Sequence, residues 1–205
     1  ESENTFLVGA RSLEGPYDRA DYDREEVLER ALNAWRSDPL ARRIVELTTQ
    51  YVTGGGLALR CDPPAGLSQA FLREWWEHPL NRIDQYAGDW CDELSRAGEL
   101  FFLLSTDAAG MSYVRAVPAA QIQEVRTTPN DVQQELAYVE RGAPGVDAFQ
   151  QREWPAYDPQ SDPMEADGGF ATVMLHYAVN RPVGAVRGES DLAPLLRWLN
   201  RYAGW

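Results

Sequence analysis

The stretch Leu94-Ser-Arg-Ala-Gly-Glu-Leu-Phe-Phe-Leu-Leu-Ser105 decides the fold class, because the hydrophobic pattern changes its period there. Upstream, apolar residues recur at the spacing of amphipathic helices. Downstream, a continuous apolar run precedes an alternating segment over residues 111–117, and together they predict a β-hairpin. Gly98 lies at the change and is typical of a helix C-cap. Helices followed by strands favour an α+β fold with a mostly antiparallel sheet over a parallel βαβ arrangement.

The segment upstream of Gly98 predicts four helices over about residues 21–97. Asp38 is suited to cap the second helix, and Pro39 suits its first turn. The triglycine at 54–56 ends that helix, since glycine tolerates a left-handed backbone, and residues 57–60 resemble a short strand. His78-Pro79 separates the third helix from the fourth. Residues 1–20 show little periodicity and predict a flexible arm before a domain over 21–205.

The segment downstream of Gly98 predicts a β-rich part over about residues 98–180. After the hairpin, strand patterns recur at 122–126, 136–141, 146–154 and 170–177, with Asp131 in a turn and a loop over 155–169. Residues 180–188 are irregular. Ser190 is suited to cap a final helix over about residues 189–203.

The charge composition excludes several classes of protein. All 19 basic residues are arginines, and 32 acidic residues give a net charge of −13. Without lysine the chain cannot be a P-loop nucleotide hydrolase, a protein kinase or a Schiff-base enzyme. The negative charge disfavours adhesive binding to nucleic acid. No apolar run approaches the roughly 20 residues that span a bilayer, so we expect no membrane segment.

No metal or disulfide site is predicted. Glu74 and His78 are spaced to share one helical face, but the sequence indicates no third ligand, so a helix-end histidine beside a carboxylate is favoured. Cys61 and Cys91 occur without a CxxC motif, which favours reduced thiols, although a single bridge stays open. We expect no cofactor.

No catalytic residue is predicted either. Ser190 follows Gly188, but Leu192 stands where a nucleophile elbow needs glycine, so a capping role is favoured. Pairs of carboxylates are expected by chance in so acidic a chain. Five tryptophans lie in helical apolar stripes, which indicates a core or an interface. The alternative is a carbohydrate-acting or carbohydrate-binding domain that uses carboxylates and exposed tryptophans, and it predicts an acidic pocket lined by aromatic rings.

Taken in order, three groups of residues resemble the portal proteins of tailed bacteriophages, and the resemblance extends from residue 23 to the C-terminus. The first group is the helix pair that ends in the glycine-rich turn. The second spans the helix-to-strand change and the strand after it. In the third, a strand ending in His is followed by Gly-x-Ser-x-Leu. The residues that carry the match are Trp35, Pro39, Gly54, Gly55, Gly56, Gly98, Glu99, Pro118, His176, Gly188, Ser190, Asp191 and Leu192.

The resemblance implies a structural virion protein with no enzymatic activity of its own. Portal proteins form a ring, commonly of twelve subunits, at one capsid vertex, and double-stranded DNA passes through the ring without sequence recognition. The implied partners are other copies of the chain, capsid proteins and tail or adaptor proteins. The implied location is the virion, and the bacterial host cytoplasm during assembly. Family members are longer, so the resemblance covers the N-terminal wing region, and contact with the terminase would depend on the stem and clip.

Overall fold

A computed structural model describes residues 23–62, 66–142, 151–160 and 169–202. The predicted arm over 1–20 lies outside the described residues. The α+β prediction is confirmed: helices come first, two small antiparallel sheets follow, and a helix ends the described chain. The helices are α1 (Arg24–Ser37), α2 (Pro39–Thr53), α3 (Gly66–Glu77), α4 (Ile83–Ala97) and α5 (Leu196–Tyr202). The strands are β1 (Glu99–Thr106), β2 (Ser112–Val117), β3 (Ile122–Thr128), β4 (Asp131–Glu140), β5 (Glu153–Pro155) and β6 (Val173–Ala178).

Capping by aspartate starts the first two helices. The side chain of Asp23 accepts hydrogen bonds from the backbone N–H groups of Glu25 and Glu26 at the start of α1. Asp38 does the same for α2, accepting from Leu40 N–H at 2.7 Å and following α1 directly. Each cap satisfies N–H groups that have no partner within the helix. The predicted roles of Asp38 and Pro39 are confirmed.

The glycine-rich turn ends α2, but the strand predicted after it is wrong. Gly54 keeps a right-handed helical backbone, and the left-handed conformation falls on Gly56, whose φ is 78°. Residues 57–60 form no strand within the described part of the chain, and Leu57 and Leu59 are exposed. A strand needs a hydrogen-bonded neighbour, and the described residues supply none here.

The predicted hairpin, β1 and β2, belongs to the first of two sheets. The first has the order β2-β1-β6, and Phe101 of β1 lies opposite both Val117 and His176. The second has the order β3-β4-β5, and its β4 strand begins at Asp131 because the turn before it places Asn130 at a φ of 68°. The predicted hairpin is confirmed.

Among the residues that the structure describes, two apolar clusters form the core. One lies between the sheets and contains Phe101, Ile122, Tyr138 and Met174. The other joins α1 and α2 to the C-terminal segment, where Trp35 packs against fully buried alanine, valine and leucine side chains. The helix α3 differs, since none of its residues, all of which are described, is buried.

The C-terminal helix begins later than expected. Ser190 Oγ accepts a hydrogen bond from Leu192 N–H at 3.0 Å and so caps a turn. The prediction that Ser190 caps the final helix is wrong. Residues 191–195 then form turns, and α5 starts only at Leu196 rather than near residue 189. Leu192 is fully buried in the helical cluster, so packing holds this segment in turns.

Candidate functional site

A buried ion network forms where the helical part meets the two sheets. Its centre is Glu99, the first residue of β1, whose side chain is 0% exposed. Arg187 donates to both carboxylate oxygens, from Nε at 2.8 Å and from Nη2 at 2.6 Å. Arg24, at the start of α1, forms an ion pair with the same carboxylate. A buried carboxylate is tolerated when paired and hydrogen-bonded in this way, and two guanidinium groups leave the pairing net positive.

His176 links this carboxylate to the second sheet. Its Nε2 lies 3.3 Å from Glu99 Oε2, and its Nδ1 lies 2.8 Å from Glu135 Oε1 on β4. Tyr138 donates its hydroxyl to the other oxygen of Glu135 at 2.6 Å. The network therefore connects α1, β1, β4, β6 and the segment that carries Arg187.

Aromatic rings enclose the histidine. The ring of Phe101 stacks on His176 with centroids 4.3 Å apart and planes 4° apart. Tyr138 meets both rings edge-on, and the guanidinium of Arg187 lies 5.4 Å from the Phe101 centroid. These rings exclude water, so electrostatic interactions inside the network are screened less than they would be at the surface.

Burial shifts the titration of the network. It lowers the pKa of His176, and the hydrogen bond and charge of Glu135 only partly oppose this. Burial acts to raise the pKa of Glu135, but hydrogen bonds from His176 and Tyr138 hold it below its ordinary value. Burial and the hydrogen bond to Glu135 raise the pKa of Tyr138, which therefore stays protonated. Neutral imidazole and tyrosine thus share one ionised carboxylate.

Two glycines hold the network in place. Gly98 ends α4 with a φ of 81° and donates its N–H to Leu94. Its carbonyl accepts from Val179 N–H at 2.8 Å. Gly188 packs so close to that carbonyl that a Cβ on it would overlap the oxygen. This contact places Arg187, one residue earlier, over Glu99, one residue after Gly98.

A second polar cluster adjoins the glycine pair. Asp191 accepts hydrogen bonds from the Ser95 hydroxyl on α4 and from Asn180 Nδ2, the latter at 2.6 Å. Its own N–H donates to the Ser95 carbonyl at 2.9 Å. The segment after β6 is therefore tied to the end of α4 by both main-chain and side-chain bonds.

The structure brings together only some of the residues that carry the resemblance to portal proteins. Gly98, Glu99, His176, Gly188 and Asp191 meet at this junction, and Ser190 and Leu192 adjoin it. The others lie elsewhere: Trp35 packs in the helical cluster, Pro39 opens α2, Gly54 to Gly56 end α2 at the surface, and Pro118 precedes a short 3₁₀ turn at Ala119–Gln121.

Sequence reasoning missed three charged members of the network. Arg24, Glu135 and Arg187 come from three separate elements, and charged residues are usually solvated. The sequence pointed to two of them only by position: Arg187 directly precedes Gly188, and Arg24 directly follows Asp23, which caps α1.

The remaining predicted sites have ordinary contacts. His78 Nδ1 accepts from Leu80 N–H at 3.2 Å, and its ring meets Tyr113 edge-on. The described residues contain no group of three or more His, Cys, Asp or Glu side chains arranged to hold a metal ion. Neither Cys61 nor Cys91 forms a disulfide within the part of the chain that the structure describes.

An open cleft lies between the end of α3 and the start of α4. It has a volume of about 490 Å³, and Trp76, Glu77, Arg82 and Asp84 contribute to its lining. Arg82 has a left-handed backbone with a φ of 47°, and its guanidinium donates to Gln85. The cleft combines an aromatic ring with two carboxylates and is open to solvent, unlike the Glu99 network.

Comparison with known proteins gives no family assignment. No protein-family model matches the chain, and no curated protein is significantly similar to it. Among the described residues, no helix combines the length and apolar character needed to cross a membrane.

Proposed function

We propose that the chain is a structural virion protein, the wing region of a portal subunit in the head-to-tail connector of a tailed bacteriophage. The observation that carries the proposal is the convergence of the second and third motif groups at one joint. Gly98 and Glu99 lie more than 70 residues before His176 and Gly188 in the sequence, yet Gly98 contacts Gly188 and Glu99 Oε2 lies 3.3 Å from His176 Nε2. All four build the fold: the two glycines allow close backbone approach, and Glu99 and His176 are buried in the network that reaches the second sheet through Glu135. Residues used in this way fit a scaffold better than a catalyst.

The burial of the network supports the same conclusion. The side chains of Glu99 and His176 are 0% and 1% exposed, so no substrate can reach them without rearrangement of the fold. A chemical role for a side chain requires contact with the reacting atoms. Glu99 and His176 thus fit a role in the architecture of the subunit.

The surface supports self-association with further copies of the chain. Leu67 and Phe71 of α3 are 90% and 41% exposed, and Tyr51 at the end of α2 is 88% exposed. Large exposed apolar side chains of this kind are suited to contact with another protein surface. A ring subunit needs such surfaces on its flanks.

The charge also fits a conduit for nucleic acid. With a net charge of −13, the chain repels phosphate on average, which allows DNA to pass without adhering. The proposed partners are further copies in a ring, capsid proteins, tail or adaptor proteins and DNA in transit. The terminase is a proposed partner only through a stem and clip. The virion is the proposed location, and the host cytoplasm during assembly.

The test is the assembly state of the product of the whole gene. We expect its mass in solution to correspond to a closed oligomer, and negative-stain electron microscopy to show rings with a central channel. A monomer at every concentration, with no rings on the grid, would contradict the proposal. A terminase gene and a capsid gene beside the coding region would be independent support.

A second candidate function is carbohydrate binding at the cleft beside Trp76. The specific observation in its favour is the lining, where Trp76 lies with Glu77 and Asp84. Aromatic faces with nearby carboxylates are suited to sugar rings. A glycan-binding screen with fluorescence quenching tests it: binding should be lost in Trp76→Ala and retained in Trp198→Ala, whose ring is exposed elsewhere. Absence of any glycan ligand would remove this candidate.

A further inference from the structure

His176 is a buried link between the two sheets. Its ring nitrogens face carboxylates on two different sheets, Glu135 at 2.8 Å and Glu99 at 3.3 Å. The side chain is 1% exposed, and Phe101 covers one of its faces. Neutral imidazole has one N–H, so it donates to one of these carboxylates and presents an unprotonated nitrogen to the other.

The surrounding charges decide which nitrogen carries the proton. Glu99 is already paired with Arg24 and Arg187, whereas Glu135 accepts from the neutral hydroxyl of Tyr138. The carboxylate with fewer donors is the better acceptor, and it is also the closer one. The proton therefore lies on Nδ1 and is donated to Glu135, while Nε2 faces Glu99 without a proton.

A second proton on the ring would enter at Nε2 and disturb this arrangement. It would point at Glu99 Oε2, which already accepts from Arg187 Nε at 2.8 Å. It would also add positive charge beside Arg187, with Arg181 nearby on the same segment. The carboxylates of Glu135 and Glu99 would favour the added charge, whereas burial and the two arginines oppose it. Consistent with this balance, burial and these two arginines lower the pKa of His176 despite Glu135.

We propose that His176 is an acid-sensitive switch at the junction of the two sheets. Protonation of Nε2 competes with Arg187 for Glu99 and thereby loosens the segment 180–188, which Arg187 anchors. The switch rests on the geometry of the network and is independent of the proposed portal function. Buried histidines that bridge elements act in this way when the solvent pH falls below neutrality.

The direction of the pH effect follows from linkage. The pKa of His176 is lower in the folded chain than the unfolded value near 6.5. Its contribution to stability is therefore complete above pH 6.5 and is lost as the pH falls from 6.5 towards the folded value. Glu135 adds nothing in this window, since its folded pKa is below the ordinary value of 4.5 and its loss occurs at lower pH.

The test combines a titration with a stability measurement between pH 7.5 and 5.0. The chain has two histidines, so the ring C–H signals in the nuclear magnetic resonance spectrum are assigned with His176→Gln and His78→Gln. We expect the His176 signal to titrate below pH 6.5, and to titrate at still lower pH in Glu135→Gln. We expect the urea midpoint to fall on acidification in the unmodified chain and in His78→Gln, and to fall by less than half as much in His176→Gln.

Two results would contradict the proposal that His176 is an acid-sensitive switch. One is a titration midpoint of His176 at or above pH 6.5. The other is an equal loss of urea midpoint in His176→Gln and the unmodified chain. If His176→Gln does not fold, the titration of the unmodified chain and its response to Glu135→Gln decide the question alone.

Discussion

Gly188 packs its backbone directly against the carbonyl of Gly98, 90 residues earlier in the chain. Neither position has room for a Cβ atom, since one on Gly98 would overlap the backbone of Glu189 and one on Gly188 would overlap Gly98. The contact fixes the end of α4 against the segment that follows β6. The contact therefore fixes the position of α4 relative to the first sheet.

We predict that Gly188→Ala destabilises the chain by about 3 kcal/mol, because an added methyl group in a packed interior forces the backbone apart. Urea denaturation measures the change. The matched control is Gly55→Ala, since no atom lies within 4 Å of a Cβ at that position. The control should stay within about 0.5 kcal/mol of the unmodified chain. Equal losses in both variants would contradict the close contact.

We predict that Glu99→Gln costs about 3–5 kcal/mol, because it removes the buried charge that pairs with two partly buried arginines. Glutamine has nearly the same size as glutamate, so a loss of packing cannot explain the destabilisation. Glu124→Gln is the control, since Glu124 is exposed and faces Arg126 at the surface. A surface pair of this kind contributes about 0–1 kcal/mol. Stability within 1 kcal/mol in Glu99→Gln would contradict the role assigned to the network.

We predict that Ser190→Ala costs about 1 kcal/mol, because the buried N–H of Leu192 loses its acceptor. Ser190 is 3% exposed, and its hydroxyl accepts from Leu192 N–H. Ser37→Ala serves as the control, because the Ser37 hydroxyl is exposed and donates to the Asn33 carbonyl within α1. Thermal unfolding distinguishes the two. A melting temperature unchanged by Ser190→Ala would count against the cap.

We predict that Tyr138→Phe costs about 1–2 kcal/mol at pH 8, because Glu135 loses a donor in a partly buried position. The sign of the pH dependence is also determined. The pKa of Tyr138 is raised in the fold, so its contribution is complete below the unfolded pKa of 10 and is lost as the pH rises above it.

Urea denaturation at pH 8 and above pH 10 should therefore show a smaller alkaline loss in Tyr138→Phe than in the unmodified chain. Tyr157→Phe, with an exposed ring, should retain the full loss. The same alkaline loss in all three proteins would exclude a contribution from Tyr138.

The sequence correctly predicted the structural features that depend on residues close together in the chain. The caps at Asp38 and Gly98 and the hairpin after Gly98 each depend on residues within a few positions, and all are confirmed. The strand predicted at 57–60 failed because strand pattern alone does not supply a partner strand. The start of α5 at Leu196 depends on how the helical cluster packs, which periodicity does not contain.

The candidate site was harder to predict for the same reason. Glu99 and His176 were singled out from the sequence, but nothing local indicated that Glu135 or Arg187 would join them. In an acidic chain, each of these charges is expected at the surface when considered alone. Only the pairing of distant elements makes their burial favourable.

Asp38 serves α1 and α2 at once, since it is the C-cap of one helix and the N-cap of the next. With no spare residue between the two helices, a single inserted or deleted residue would turn the phase of α2 by about 100° about its axis. That rotation would carry Ala41 and Val45, both fully buried, away from the cluster they fill. The connection between α1 and α2 thus tolerates substitutions more readily than any change of length. We expect insertions to be accommodated instead in the turn after α2.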